Sequence, residues 1–230
     1  MAEVAVKEKE GIKFGKKERK LITDPLNDNN PITVQVLGIC SALAVTTLLN
    51  KAIVMSIAVV FVCAAASLIT SLLRNSIPNQ VRMIVQLVII ATLVTIVELS
   101  LKAINYPIYK ELSVFIGLII TNCIVMGRLE AFAMANSPYK AFLDGVGNGL
   151  GYGLILILVA AVREFFGKGS LLNFKIIGGT PEYLLNTNEI AWLTWYQPNN
   201  LMVLFPSAMF VIGVLIWMHR AWNPKLVDIS

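Results

Sequence analysis

The 230-residue chain is 57% hydrophobic and only 14% charged, with a mean hydropathy of +0.72. Soluble domains carry about 25% charged residues, so this composition excludes a sizeable soluble domain and indicates an all-α polytopic membrane protein. The formal charge of +5 is not a nucleic-acid signal, because the basic residues lie in the N-terminal stretch and at the ends of apolar segments, where they report topology.

Residues 1–31 form a polar tail in which Lys7, Lys9, Lys13, Lys16, Lys17, Arg19 and Lys20 alternate with acids. The tail is too long and too acidic for the charged start of a signal peptide. Residues 32–230 then read as a six-helix transmembrane domain. Its apolar segments fall near 32–49, 52–73, 81–102, 110–127, 146–165 and 201–222. A spanning helix needs about 20 apolar residues, so the first and fourth are marginal in length. The runs are continuously apolar and lack the alternation of barrel strands. With the N-terminus inside, thirteen Lys and Arg fall on the inner side and six on the outer, which predicts that both termini are cytoplasmic. The 166–200 connection then faces outward, and Trp192, Trp195 and Tyr196 suit an interfacial belt, as do Trp217 and Trp222.

Segments one to three (about 32–102) and four to six (about 110–222) form two triplets. An odd number of spans per triplet makes the second enter from the opposite face, the inverted-repeat arrangement in which short or interrupted segments mark the site. Here the short members are the first of each triplet, and each carries a glycine followed by a cysteine: Gly38 and Cys40, Gly117 and Cys123. At about 1.5 Å per residue along continuous helices, Cys40 lies roughly 12 Å and Cys123 roughly 8 Å from the inner end of its segment. Two thiols at similar depth are either small buried hydrophobes or a pair of soft ligands suited to zinc, copper(I) or an iron–sulfur cluster. Two thiolates do not complete a four-cysteine cluster, so any missing ligands come from another chain. Cys63 has no counterpart and reads as core.

Two carboxylates lie in or beside apolar spans. Glu98 is near the outer end of segment three and Asp144 just precedes segment five. Intramembrane acids are candidates for an ion path, and a hydrated capping role competes for both. Glu130 and Glu164 are expected to pair with the neighbouring Arg128 and Arg163. The run Asp144–Gly153 has glycine at every second position from Gly145. No strand precedes it and no Gly-Lys-Ser/Thr follows, so it is not a nucleotide loop. Close helix packing or an unwound entry into segment five accounts for it.

The run Leu37-Gly38-Ile39-Cys40-Ser41-Ala42-Leu43-Ala44-Val45-Thr46-Thr47 resembles the first-helix motif of the family of D subunits in bacterial sodium-translocating NADH:quinone oxidoreductases (Nqr). Gly117-Leu118-Ile119-Ile120-Thr121-Asn122-Cys123-Ile124-Val125-Met126-Gly127-Arg128 resembles that family's fourth-helix motif. Arg74 to Asn79, Asp144 to Gly153 and Trp195 to Asn199 add further matches, so the resemblance covers nearly everything from Asn30 onward. The E-type protein of the related Rnf complex shares the Thr-Asn-Cys segment, but the Ser41-Ala42-Leu43 and Trp195-Tyr196-Gln197-Pro198 runs look more like Nqr. The charged tail departs from the family's shorter N-termini.

The resemblance implies an inner-membrane subunit that pairs with a homologous E-type protein of inverted topology, beside the A, B, C and F subunits. It further implies that Cys40 and Cys123 supply half the ligands of a [2Fe-2S] cluster shared with that partner. Gly38, Gly117, Thr121 and Asn122 then form the cluster's surroundings. FAD, FMN and riboflavin are implied only on other subunits, with electrons passing from the FAD of the F-type protein toward the FMN of the C-type protein. Ubiquinone reduction and sodium export belong to the whole complex, and Glu98 and Asp144 are the candidate sodium-path acids. The competing readings are the E-type protein of the Rnf complex, a stand-alone inverted-repeat permease in which the cysteines only pack, and a scaffold without a ligand.

Overall fold

A computed structural model describes residues 16–26, 29–75, 77, 78, 80–104, 106–168, 170, 171, 174, 175, 202 and 204–222. The elements run in the order α1 (Lys16–Thr23), a 3-10 turn (Asp24–Leu26), α2 (Ile39–Val45), α3 (Leu49–Leu73), α4 (Arg82–Ile104), α5 (Tyr106–Ile120), α6 (Cys123–Arg128), a π-turn (Leu129–Ala133), α7 (Pro138–Lys168), a two-residue hairpin (β1, Ser170–Leu171; β2, Phe174–Lys175) and α8 (Phe205–Trp222). Among the described residues, four helical stretches are long and apolar enough to cross a membrane: 49–73, 82–104, 113–133 and 138–167. The chain is thus a helical, multi-pass membrane protein. Trp192, Trp195 and Tyr196 lie outside the described residues; Trp217 and Trp222 are exposed on α8.

The helices carry apolar side chains on all faces, as lipid requires. Ile57 and Phe61 on α3, Ile84 and Val88 on α4, Val114 on α5 and Phe210 on α8 all point outward. Hydroxyls along these helices return a bond to the carbonyl four residues back, as in Ser56 to Ala52, Thr92 to Val88 and Thr95 to Ala91. Each of these three hydroxyls thus finds an acceptor on its own helix.

The centre of the bundle is the antiparallel pair α3 and α7. Gly145, Gly149 and Gly153 line one stripe of α7, and a methyl group on them would meet Cys63 O at 2.9 Å, Val60 Cα at 2.8 Å and Ser56 Cβ at 3.0 Å. Gly147 and Gly151 lie on another stripe, closed by the backbone of Leu21 and Pro25. The alternating glycines therefore serve two neighbours at once: every fourth faces α3, and the others face the N-terminal segment. The run is helical throughout, so the alternative of an unwound entry does not hold.

Residues 19–26 and 29–31 consequently do not stand apart from the bundle. The 3-10 turn rests on Gly151, about 20 Å along α7 from Pro138, and Pro25, Asn30 and Pro31 are buried. Asn30 fixes the end of this segment: its Nδ2 donates to Gly151 O (3.1 Å), while its Oδ1 accepts from the amides of Ile32 (3.0 Å) and Thr33 (3.3 Å).

The first apolar segment, read as a helix over 32–49, is not one. Turns occupy its start, Val36 and Gly38 have positive φ (57° and 76°), and only the seven residues of α2 are helical before Leu48 turns extended. The fourth segment is also interrupted: α5 stops at Ile120, and α6 begins after Thr121 and Asn122.

Candidate functional site

Both cysteines singled out by the sequence stand in the first turn after a helix break. In α2 the break is made by Gly38, whose left-handed φ of 76° costs a glycine nothing, and Cys40 is the second helical residue. In α6 the break is capped by Asn122, whose Oδ1 accepts from Ile124 N at 3.3 Å, and Cys123 is the first helical residue. The two breaks face one another, since a methyl group on Gly38 would stand 2.7 Å from Ile124 Cδ1. Both Cys40 and Cys123 are exposed, whereas Cys63 is buried in the core. A depth reckoned along continuous helices does not apply here, because neither segment is continuous. The breaks instead share a level with Tyr152, near the midpoint of the 31-residue α7.

Tyr152 is fully buried between the two breaks. Its hydroxyl lies 2.6 Å from Ser41 Oγ, and Ser41 in turn donates to Gly38 O at 3.0 Å. The Asn122 side chain lies near the same hydroxyl, yet its Nδ2 is buried without a well-formed hydrogen bond. Thr121 and Gly117 are exposed, and no described residue lies within 4 Å of where a Cβ at Gly117 would be. The second break thus falls at Thr121–Asn122, four residues beyond the glycine.

The charged residues pair differently from expectation. Arg128 binds Asp144 through both Nε (2.9 Å) and Nη2, forming a forked contact. Asn148 Nδ2 adds a further bond to the same carboxylate at 3.1 Å, and Asp144 is 2% exposed. Glu130 pairs with Arg82 and accepts from Gln86. Neighbours along a helix point in different directions, which is why neither Arg128 with Glu130 nor Arg163 with Glu164 forms the expected pair.

Arg163 and Glu164 instead serve the two ends of the α2–α3 junction. Arg163 donates to Thr46 Oγ1 (2.5 Å) and Leu43 O (3.4 Å) at the carbonyl end of α2, and to Leu204 O (3.0 Å) before α8. Glu164 accepts from Leu49 N at 2.6 Å and so caps α3. Each charge meets the helix end of opposite polarity. Glu98 is half-exposed on α4 and accepts from Tyr109 Oη at 3.1 Å; that hydrogen bond, chiefly, raises the phenol above its ordinary pKa.

Among the described residues no three His, Cys, Asp or Glu side chains gather as a metal-binding group. The structure brings Cys40, Gly38, Asn122 and Cys123 into one region and leaves Asp144 and Glu98 each with a separate partner. From the sequence, Tyr152 and Ser41 had no site role and Arg163 only a pairing with Glu164. The signal for Tyr152 and Ser41 is a polar group in otherwise apolar surroundings.

Paired helix breaks beside a close-packed antiparallel pair define a polytopic membrane protein with discontinuous helices. Residues 19–216 match the family model described as "Rnf-Nqr subunit, membrane protein". The chain belongs to that family. It is 54% identical over 210 residues to a protein of Psychromonas ingrahamii named as the D subunit of Na(+)-translocating NADH-quinone reductase, covering 91% of this chain and 95% of that one. Proteins of the same name from Yersinia enterocolitica and Haemophilus ducreyi are 53% and 54% identical, over 93% and 91% of this chain and 97% of each relative.

Proposed function

We propose that this chain is the D-type membrane subunit of a Na(+)-translocating NADH-quinone reductase in the bacterial inner membrane. In this reading Cys40 and Cys123 contribute two of the four ligands of a [2Fe-2S] cluster, and a homologous E-type protein of opposite topology supplies the others. The observation that carries it is the exposure of both thiols at helix breaks. Non-helical backbone at membrane depth is tolerated only where protein or a water-filled cavity covers it. Thr121, Cys40 and Cys123 are exposed on this chain alone, which supports a reading in which a neighbouring protein covers them.

The donor set fits such a cluster in kind. Thiolate is the ligand that [2Fe-2S] centres take, and two sulfurs on facing segments leave room for two more. A cluster there would carry single electrons across the interior of the membrane. The chain's own part is to hold two sulfurs at fixed separation: Gly38 allows the close approach, Asn122 caps α6, and the α3–α7 pair braces both.

Within the complex, the inverted-repeat reading places α2 with α6 and α3 with α7 as counterparts. It also leaves both termini cytoplasmic, with the A, B, C and F subunits supplying the FAD, FMN, riboflavin and ubiquinone sites. Asp144 and Glu98 are the proposed sodium-route acids; a cation reaching Asp144 competes with Arg128 for its oxygens.

The test is chemical. The purified assembly is assayed for iron, acid-labile sulfide and visible absorbance, and its subunits are identified. Cys40→Ala and Cys123→Ala are expected to abolish the cluster signal and Cys63→Ala to spare it. Equal loss from Cys63→Ala, or no iron in the intact assembly, overturns the assignment.

A further inference from the structure

We propose that Tyr152 is a positioning residue for the Cys40 and Cys123 pair, its hydroxyl tying the Gly38 break to the Asn122 break through the body of α7. The inference rests on the reading of those cysteines as cluster ligands and adds a residue on a third element to their support.

Ser41 Oγ lies 3.0 Å from Gly38 O and 2.6 Å from the Tyr152 hydroxyl, so the phenol is joined to the first break through Ser41 whichever of the two hydroxyls donates. The phenol oxygen keeps its acceptor capacity, and the donor near it is Asn122 Nδ2, buried without a well-formed bond. The phenol therefore bonds Ser41 at the first break and lies beside the unsatisfied Nδ2 of Asn122 at the second. Both neighbours adjoin the cysteines: Ser41 follows Cys40, and Asn122 precedes Cys123.

The ring does a second job. A methyl group at Gly38 would stand 3.1 Å from Tyr152 Cε2, so the ring edge limits how far the first break can move toward α7. Tyr152 is among the largest fully buried side chains, on a helix held along its length by α3. It can thus transmit the rigidity of the α3–α7 pair to two short segments that carry exposed thiols. A buried tyrosine needs a partner for its hydroxyl, and here that partner lies beside a candidate ligand.

Tyr152→Phe in the full complex keeps the ring and removes the bridge. The expected result is assembly at the wild-type yield, shifted g-values in the electron paramagnetic resonance spectrum of the reduced cluster, and at least threefold faster loss of iron to a chelator. Ser41→Ala, which removes the same bond to Tyr152, is expected to shift the g-values and speed the loss of iron likewise. Ser56→Ala, which removes a bond between α3 and α7 at Gly153, is expected to leave the g-values unchanged. Unaltered g-values and chelation rate in Tyr152→Phe, with iron lost in Cys40→Ala, overturn the positioning role alone. Iron and sulfide retained in Cys40→Ala overturn the reading beneath it. Should Tyr152→Phe fail to assemble, Ser41→Ala decides: shifted g-values support the proposal and unshifted ones overturn it.

Discussion

Gly38 lies directly against Ile124, so that two residues before one candidate ligand and one residue after the other the chain touches itself. A Cβ at Gly38 would sit 2.7 Å from Ile124 Cδ1, and its φ of 76° is in the left-handed region. Gly38→Ala is therefore expected to lose about 1–2 kcal/mol to backbone strain, with a further loss from the collision. The thermal midpoint of the detergent-solubilised complex should fall, and Ile124→Ala in the same chain should restore part of it. Full retention of the midpoint in Gly38→Ala would show that the two breaks do not meet.

The Arg128–Asp144 pair is nearly buried, so removing one partner is expected to cost far more than removing both. Asp144→Asn leaves a buried guanidinium uncompensated, at about 3–5 kcal/mol. The joint change Arg128→Met with Asp144→Leu should recover most of that loss. Complex yield and thermal midpoint measure this directly. A double variant as unstable as Asp144→Asn would mean that the pair's remaining contacts, to Asn148 among them, dominate.

Glu98 is expected to behave differently, because it is half-exposed and bonded only to Tyr109 among the described residues. Glu98→Gln should change stability by less than about 1 kcal/mol. Its effect belongs on function: the sodium concentration for half-maximal activity should rise several-fold. An unchanged sodium dependence removes Glu98 from the proposed route.

Gly151 carries the contact between α7 and the N-terminal segment. Gly151→Val would drive side-chain atoms into the Pro25 carbonyl, and the expected outcome is release of residues 16–31 from α7. Limited proteolysis should then cut that stretch at least tenfold faster than in the wild type, whereas Gly213→Ala, which meets nothing within 4 Å, should not alter the rate.

Arg163 neutralises the carbonyl end of α2 while Glu164 caps α3. Arg163→Leu is expected to destabilise by about 3 kcal/mol or more, since it strips several carbonyls of their donor at once. Arg163→Lys should rescue little, because a point charge does not reproduce the fork that spans Thr46 and Leu204. Thermal unfolding of the two variants separates these expectations.

What the sequence determined by itself is what depends on composition and local chemistry. The excess of apolar residues made a membrane bundle unavoidable, and glycine at every second position of Gly145–Gly153 announced close packing. Two short segments, each bearing a cysteine, pointed to interruption, and both segments are interrupted. What only the tertiary structure decided is everything set by direction across the bundle. Local spacing could not say that Arg128 reaches Asp144 and not Glu130, that Arg163 and Glu164 divide two helix ends between them, or that Tyr152 stands between the breaks. Such pairings, with that of Asn30 and Gly151, join residues 16 to 121 positions apart, and the periodicity of a single helix holds no information about which distant backbone it will meet. The position of residues 19–26 and 29–31 was hidden for the same reason: a polar composition reads as solvated until a groove of glycine backbone is found to receive it.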